Sequence, residues 1–123
     1  MKETKRMLQV GEMIRRNFGT VLQQEGSYIY GTEPFVTVTN VKMSPDLGIA
    51  KVYISIYNID DKYNVILSME SEMERLRSSL YHRIRKQMRR MPLLQFYQDD
   101  TLDEMAKLNE VFDKINGSKD EEE

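Results

Sequence analysis

From residue 3 to residue 25, Met7, Val10, Ile14, Phe18, Val21 and Leu22 recur at spacings of three and four, which places them on one face of a helix. Lys2, Lys5, Arg6 and Arg16 fall on the opposite side, with Arg15 near the boundary. Gly26 is the expected C-cap, and residues 27–34 (SYIYGTEP) read as a loop. The period then drops to two. Residues 35–43 (FVTVTNVKM) and 49–57 (IAKVYISIY) are rich in β-branched and aromatic side chains and predict two strands. Ser44-Pro45-Asp46-Leu47-Gly48 between them supplies a preset turn proline and an aspartate able to bond its own backbone, so the pair reads as a hairpin. Ala50, Val52, Ile54 and Ile56 alternate with Lys51, Tyr53, Ser55 and Tyr57. Val36 and Val38 are out of phase with Val41 and Met43, and one extra residue near Asn40, a β-bulge, brings all four to the buried face.

After a polar loop at 58–62 the period returns to helical. Ile66, Met69, Met73, Leu76, Leu80, Ile84 and Met88 form one stripe that runs without Gly or Pro to Met91. The pattern fits either one long helix or a helix bent near Arg77 to Ser79, and Pro92 ends it. Residues 93–98 (LLQFYQ) predict a third strand, and Thr101 with Glu104 a capping box that opens a last helix over 102–115. The order helix, strand, strand, long helix, strand, helix predicts an α+β domain over residues 1–115. Its third strand lies parallel to and beside the second, joined by a right-handed crossover, with the helices on one face of the sheet. Residues 116–123 read as an acidic, disordered tail.

The chain has 123 residues, one domain's worth, with 40% hydrophobic and 31% charged positions. It has no cysteine, so disulfides and thiolate metal sites are excluded. There is neither an apolar run of membrane-spanning length nor a signal-peptide pattern at the start, and a cytoplasmic, monomeric protein is the expectation. Catalysis finds no support: the one histidine, His82, sits among cations without a carboxylate beside it, no base accompanies a Ser or Thr nucleophile, and no phosphate-cradling glycine loop is present. No cofactor or metal is implied.

Charge is where the sequence becomes specific. The net charge is −2, yet from Arg75 to Gln98 there is no Asp or Glu. On a helical projection centred on Leu80, Arg75, His82, Arg85, Lys86, Arg89 and Arg90 gather on the solvated side, with Arg83 at the flank. Exposed helices ordinarily mix signs to gain pairs at i and i+4, and this one gains none. Arg75, Arg77, His82, Arg83, Arg85, Lys86, Arg89 and Arg90, with Lys5, Arg6, Arg15 and Arg16 from the first helix and Lys51 from the second strand, are therefore the candidate contacts to nucleic-acid phosphate. The alternative is a protein-interaction module whose basic helix docks on an acidic partner. Tyr53, Tyr57, Tyr81 and Tyr97 have rings able to stack on bases, although tyrosines in such positions are more often structural.

Val41-Lys42-Met43-Ser44-Pro45-Asp46-Leu47 followed by Ala50-Lys51-Val52-Tyr53-Ile54-Ser55 resembles the central hairpin of the ribosome-binding factor A family. Ile14-Arg15-Arg16 in the opening helix, Leu76-Arg77, Ile84-Arg85, Met91-Pro92-Leu93-Leu94-Gln95-Phe96 and Asp99-Asp100-Thr101-Leu102 are similar to later parts of the same family, in the same order. The resemblance implies a type II KH-like domain that binds RNA. It further implies an assembly factor that binds the immature small (30S) ribosomal subunit and promotes 16S rRNA processing and maturation, notably in the cold. Two features depart from the family. The Gly-x-x-G loop of type II KH domains is absent, and the Ala-x-Gly kink that this family tends to carry in its place has no counterpart in Glu72 to Arg77. Leu93 stands where the family often has Glu.

Overall fold

A computed structural model describes residues 3–99 of the chain. Helix α1 spans Lys5–Tyr30, strands β1 and β2 span Phe35–Met43 and Ile49–Tyr57, helices α2 and α3 span Lys62–Ser71 and Met73–Ile84, and strand β3 spans Leu93–Gln98. The expected capping box at Thr101, the last helix and the acidic tail lie outside the described residues.

All three strands match their expected bounds. They form one sheet of order β1-β2-β3, with β1 antiparallel to β2 and β3 parallel to β2. The bulge is present: Val38 pairs with Ile54 and Asn40 with Tyr53, which leaves Thr39 as the extra residue. Its effect is the phase change that the sequence required, since Val38, Val41 and Met43 are all buried. Asp46 fastens the hairpin turn by accepting from Ser44 Oγ at 2.7 Å and from the Gly48 N–H at 3.0 Å. Those two bonds, with the nearby Arg90 charge as a lesser cause, hold its carboxyl below the usual carboxylate range.

One core joins Ile14, Phe18 and Val21 of α1, Val52, Ile54 and Ile56 of β2, Met69 of α2, Leu76, Leu80 and Ile84 of α3, and Leu94 and Phe96 of β3. The Phe18 and Phe96 rings stack at 5.7 Å and tie the first helix to the last strand. Helix α1 crosses β1 closely enough that a Cβ at Gly11 would lie 2.6 Å from the Val41 carbonyl oxygen.

The helices depart from the sequence reading in three places. First, α1 does not stop at Gly26, which is buried within it; a Cβ there would overlap the Tyr30 hydroxyl, so this glycine makes room for a ring one turn later. The helix ends at Gly31, whose φ of 87° suits only glycine and whose N–H donates to the Ser27 carbonyl at 3.1 Å. Second, the crossover is not one long helix, and it does not bend at Arg77 to Ser79. It breaks at Glu72 (φ −107°, ψ 25°) between α2 and α3. Just before the break, Ser71 Oγ donates to the Ser68 carbonyl at 2.7 Å, a side-chain bond that offers the backbone an alternative to continued helix. The two-helix geometry is thus reached without an Ala-x-Gly signature. Third, α3 ends at Ile84, not Met91. Residues 85–87 form a turn, and the chain then leaves the helix axis to bury Met88 and Pro92 and to hand Leu93 N–H to the Gly48 carbonyl at 2.8 Å. Pairing with β2 overrides the helical period.

Candidate nucleic-acid interface

The early end of α3 rewrites the cationic surface. Arg85 and Lys86 lie in the turn, and Arg89 and Arg90 in the bend that follows, so these four side chains do not share a helix face with Arg75. They wrap a depression of about 530 Å³ completed by Arg6 of α1 and by Asp46 and Leu47 of the hairpin turn. A second depression, of about 500 Å³, adjoins it along the seam between α1 and α3, and is lined by Arg6, Gln9, Arg16, Asn17, Arg83 and Gln87 among others. Arg6 and Gln87 border both. The result is a continuous rim of seven cations, Arg6, Arg16, Arg83, Arg85, Lys86, Arg89 and Arg90, with one lining carboxylate, Asp46.

Arg85, Lys86, Arg89 and Arg90 are exposed. Among the described residues, none of them makes a hydrogen bond or ion pair, and Arg90 lies near enough to Asp46 for its charge to help lower that carboxyl's pKa. Arg83 is positioned from behind, donating from Nε to Asn17 Oδ1 at 3.2 Å, while Asn17 donates to the Met13 carbonyl. Arg16 reaches Glu12 only at 3.9 Å. Between polar walls and unpaired guanidinium groups, such a surface has donors in excess and accepts anions with several acceptor oxygens.

Other candidates from the sequence are elsewhere or occupied. Arg75 donates to Glu25 Oε1 at 3.0 Å and lies over the Tyr28 ring, so it has both an acid and an aromatic partner. Arg77 is half-buried and donates to the carbonyl oxygens of Met91 and Pro92 at 3.2 and 3.4 Å, a structural strut and not a surface charge. Arg15 is bonded to Glu12 through two nitrogens; that bond raises the arginine's pKa and lowers the glutamate's. His82 is exposed beside the Tyr81 ring, and neither His82 nor Lys5 lines the rim. Lys51 is on the opposite face of the sheet, near Lys42 and Tyr53. Gln9, Asn17, Asp46 and Gln87 were not marked by the sequence reading. Their spacing carries no signal; the packing of α1 on α3 brings Gln9 and Asn17 to the cations, and the pairing of β3 with β2 brings Asp46 beside the loop after α3.

Among the described residues there is no group of three or more His, Cys, Asp or Glu side chains that could hold a metal ion, and no helix is long and apolar enough to cross a membrane.

The element order, the parallel third strand and the divided crossover define a small α+β domain of the type II KH-like fold. Comparison with known proteins then specifies the family. The family model for ribosome-binding factor A matches residues 6–112, and the chain belongs to the ribosome-binding factor A family. It is 35% identical to ribosome-binding factor A of Cytophaga hutchinsonii over 121 residues, covering 98% of this chain and 90% of that one. The crystal structure of ribosome-binding factor A from Thermus thermophilus superimposes with a TM-score of 0.62 at 22% identity, covering 75% of this chain and 94% of that one. A homology model of the Thermus thermophilus factor, fitted into a cryo-EM map of its complex with the 30S subunit, matches with a TM-score of 0.58 at 23% identity, covering 72% and 90%.

Proposed function

We propose that this protein is a non-enzymatic ribosome assembly factor that binds the immature 30S subunit in the cytoplasm as a monomer and promotes 16S rRNA processing and maturation, including in the cold. The contact surface in this reading is the rim formed by Arg6, Arg16, Arg83, Arg85, Lys86, Arg89 and Arg90. The observation that carries it is the placement of seven cations from α1, α3 and the loop after α3 around two adjoining depressions with one lining carboxylate. Charge gathered this way, with Arg85, Lys86, Arg89 and Arg90 making no hydrogen bond or ion pair among the described residues, favours a polyanion, and each phosphate neutralised adds roughly −0.7 to −0.9 to the slope of log K against log salt. Family membership and the 30S complex of a relative point to rRNA as that polyanion.

The test is sedimentation of the tagged full chain with cell lysate, which is expected to place it with free small subunits and not with complete ribosomes. Reversal of Arg85, Lys86, Arg89 and Arg90 to Glu should abolish that association and leave the fold intact. Association that survives the reversal removes this surface from the mechanism. An acidic protein that co-purifies with the chain, together with indifference to rRNA, would establish the protein-interaction reading instead.

A further inference from the structure

The sheet face away from the helices carries a second arrangement, built from side chains that the cationic rim does not use. Lys42 of β1 and Lys51 of β2 are cross-strand partners, both exposed, so two ammonium groups project from directly opposite positions. Like charges so placed repel, and neither lysine makes an ion pair among the described residues. One step along the same face, Tyr53 of β2 partners Tyr97 of β3, and their rings stack at 5.5 Å with 25° between planes. Lys42 Nζ lies 5.8 Å from the centre of the Tyr53 ring, so cations and aromatics are contiguous. Gln95 partners Lys51 across β2 and β3, and its Oε1 accepts from the Tyr97 hydroxyl at 3.0 Å, which fixes that ring; Tyr97 keeps 41% of its surface exposed. A depression of about 680 Å³ opens beside this group, lined by Lys42, Lys51, Tyr53 and Ser44 and by one carboxylate, Glu3.

We infer that this sheet face, where Lys42, Lys51 and Tyr97 are exposed, is a stacking platform for a single-stranded RNA segment, with a base resting against the exposed Tyr97 ring, which the half-buried Tyr53 backs, and phosphates drawn to Lys42 and Lys51. The inference deepens the proposed function and rests on its premise that the chain works on RNA. Single-stranded RNA fits better than duplex or an acidic protein. Duplex bases are already stacked and hide their faces, whereas unpaired bases offer them to exposed rings. An acidic protein surface would satisfy the lysines but leave the exposed Tyr97 ring without a partner of its own kind. Positions i and i+2 on one strand are about 7 Å apart, so Lys51 and Tyr53 present charge and ring in succession along an extended ligand.

The test uses the full chain and a short single-stranded RNA containing 5-iodouridine. Photo-crosslinks should map to Tyr53 or Tyr97. Tyr97→Leu should weaken binding of that RNA about tenfold and Tyr97→Phe should restore it, while affinity for a duplex of equal length stays unchanged. Lys42→Gln with Lys51→Gln, at two exposed positions that the core does not need, should weaken the single strand and lower its salt slope. Crosslinks confined to residues 83–90, an unchanged affinity in either variant, or binding of polyglutamate in preference to RNA would each overturn the platform. Sedimentation separates the two readings. If the chain fails to travel with small subunits but crosslinks at Tyr97, the proposed function falls and the platform stands. If it travels with them and Tyr97→Leu changes nothing, the reverse holds.

Discussion

The guanidinium of Arg77 donates to the carbonyl oxygen of Met91 at 3.2 Å and reaches that of Pro92 at 3.4 Å, from a half-buried position fourteen residues earlier in the chain. Two carbonyls left over where the loop turns into β3 thereby gain a charged donor, and the loop carrying Arg85, Lys86, Arg89 and Arg90 is held at its far end. Replacement by Met keeps the aliphatic stem and removes the donors. Arg77→Met should destabilise the protein by about 1–2 kcal/mol, read from urea unfolding, because the carbonyls lose a charged partner. Binding to small subunits should weaken in proportion to loop disorder, not to the loss of one charge.

Arg75 and Arg77 on α3 and the four cations after the helix should respond differently to neutralisation. Arg75→Gln is expected to leave subunit association unchanged, since that side chain already faces Glu25 and Tyr28. Arg89→Gln with Arg90→Gln should weaken association and reduce the salt slope by about 1.4 to 1.8, at roughly 0.7 to 0.9 per lost phosphate contact. Binding titrations at several salt concentrations, with thermal unfolding as the control for folding, decide the matter.

At Gly11, α1 passes close over the backbone of β1. Gly11→Ala should destabilise by about 1–3 kcal/mol despite alanine's better helix propensity, because the added methyl meets the backbone oxygen of Val41, which has no rotamer to change. Gly19, which has nothing within 4 Å of an added Cβ, is the matched control: Gly19→Ala should stabilise by up to about 1 kcal/mol. Denaturant midpoints of the two variants should move in opposite directions.

Asp46 gives the hairpin turn a pH dependence. Its folded pKa is lowered chiefly by the Ser44 hydroxyl, then by the Gly48 N–H, with a smaller contribution from Arg90. A depressed carboxyl contributes stability above its unfolded pKa and loses it as pH falls through the folded one. Asp46→Asn should therefore lower stability near neutral pH and flatten the acid limb of the stability curve. Urea midpoints measured from about pH 7 to about pH 3 would show it, the wild-type curve converging on the variant's at the acid end.

How far the sequence could be read depended on whether the determinant was local. Strand bounds and the bulge were legible because alternation is a short-range pattern, and Val41 and Met43 could reach the core only if one residue were inserted after Val38. The real end of α1 was hidden because Gly26 resembles a cap until Tyr30 is seen folded against it. The break at Glu72 was hidden because it uses a serine hydroxyl and neither Gly nor Pro. Residues 85–91 kept a helical period that the parallel pairing of β3 overrode. For the cations, the sequence showed charge but not company: Glu25 stands fifty positions from Arg75, and the carbonyls that occupy Arg77 carry no side-chain signature. Lys51 was marked as a candidate contact, but its pairing with Lys42 emerges only from the strand register.

The bond from Leu93 N–H to the Gly48 carbonyl closes a loop of more than forty residues and sets the stretch 85–90 beside the hairpin turn. Arg6, Asp46 and Arg90 therefore become neighbours only after the parallel pairing has formed, which is the step of greatest sequence separation in the sheet and the costliest in loop entropy. A nascent chain halted before β3 emerges has every arginine up to that point but no assembled cradle to hold a phosphate. Because β3 is the last of the three described strands to be synthesised, the cradle closes only after that strand has left the exit tunnel.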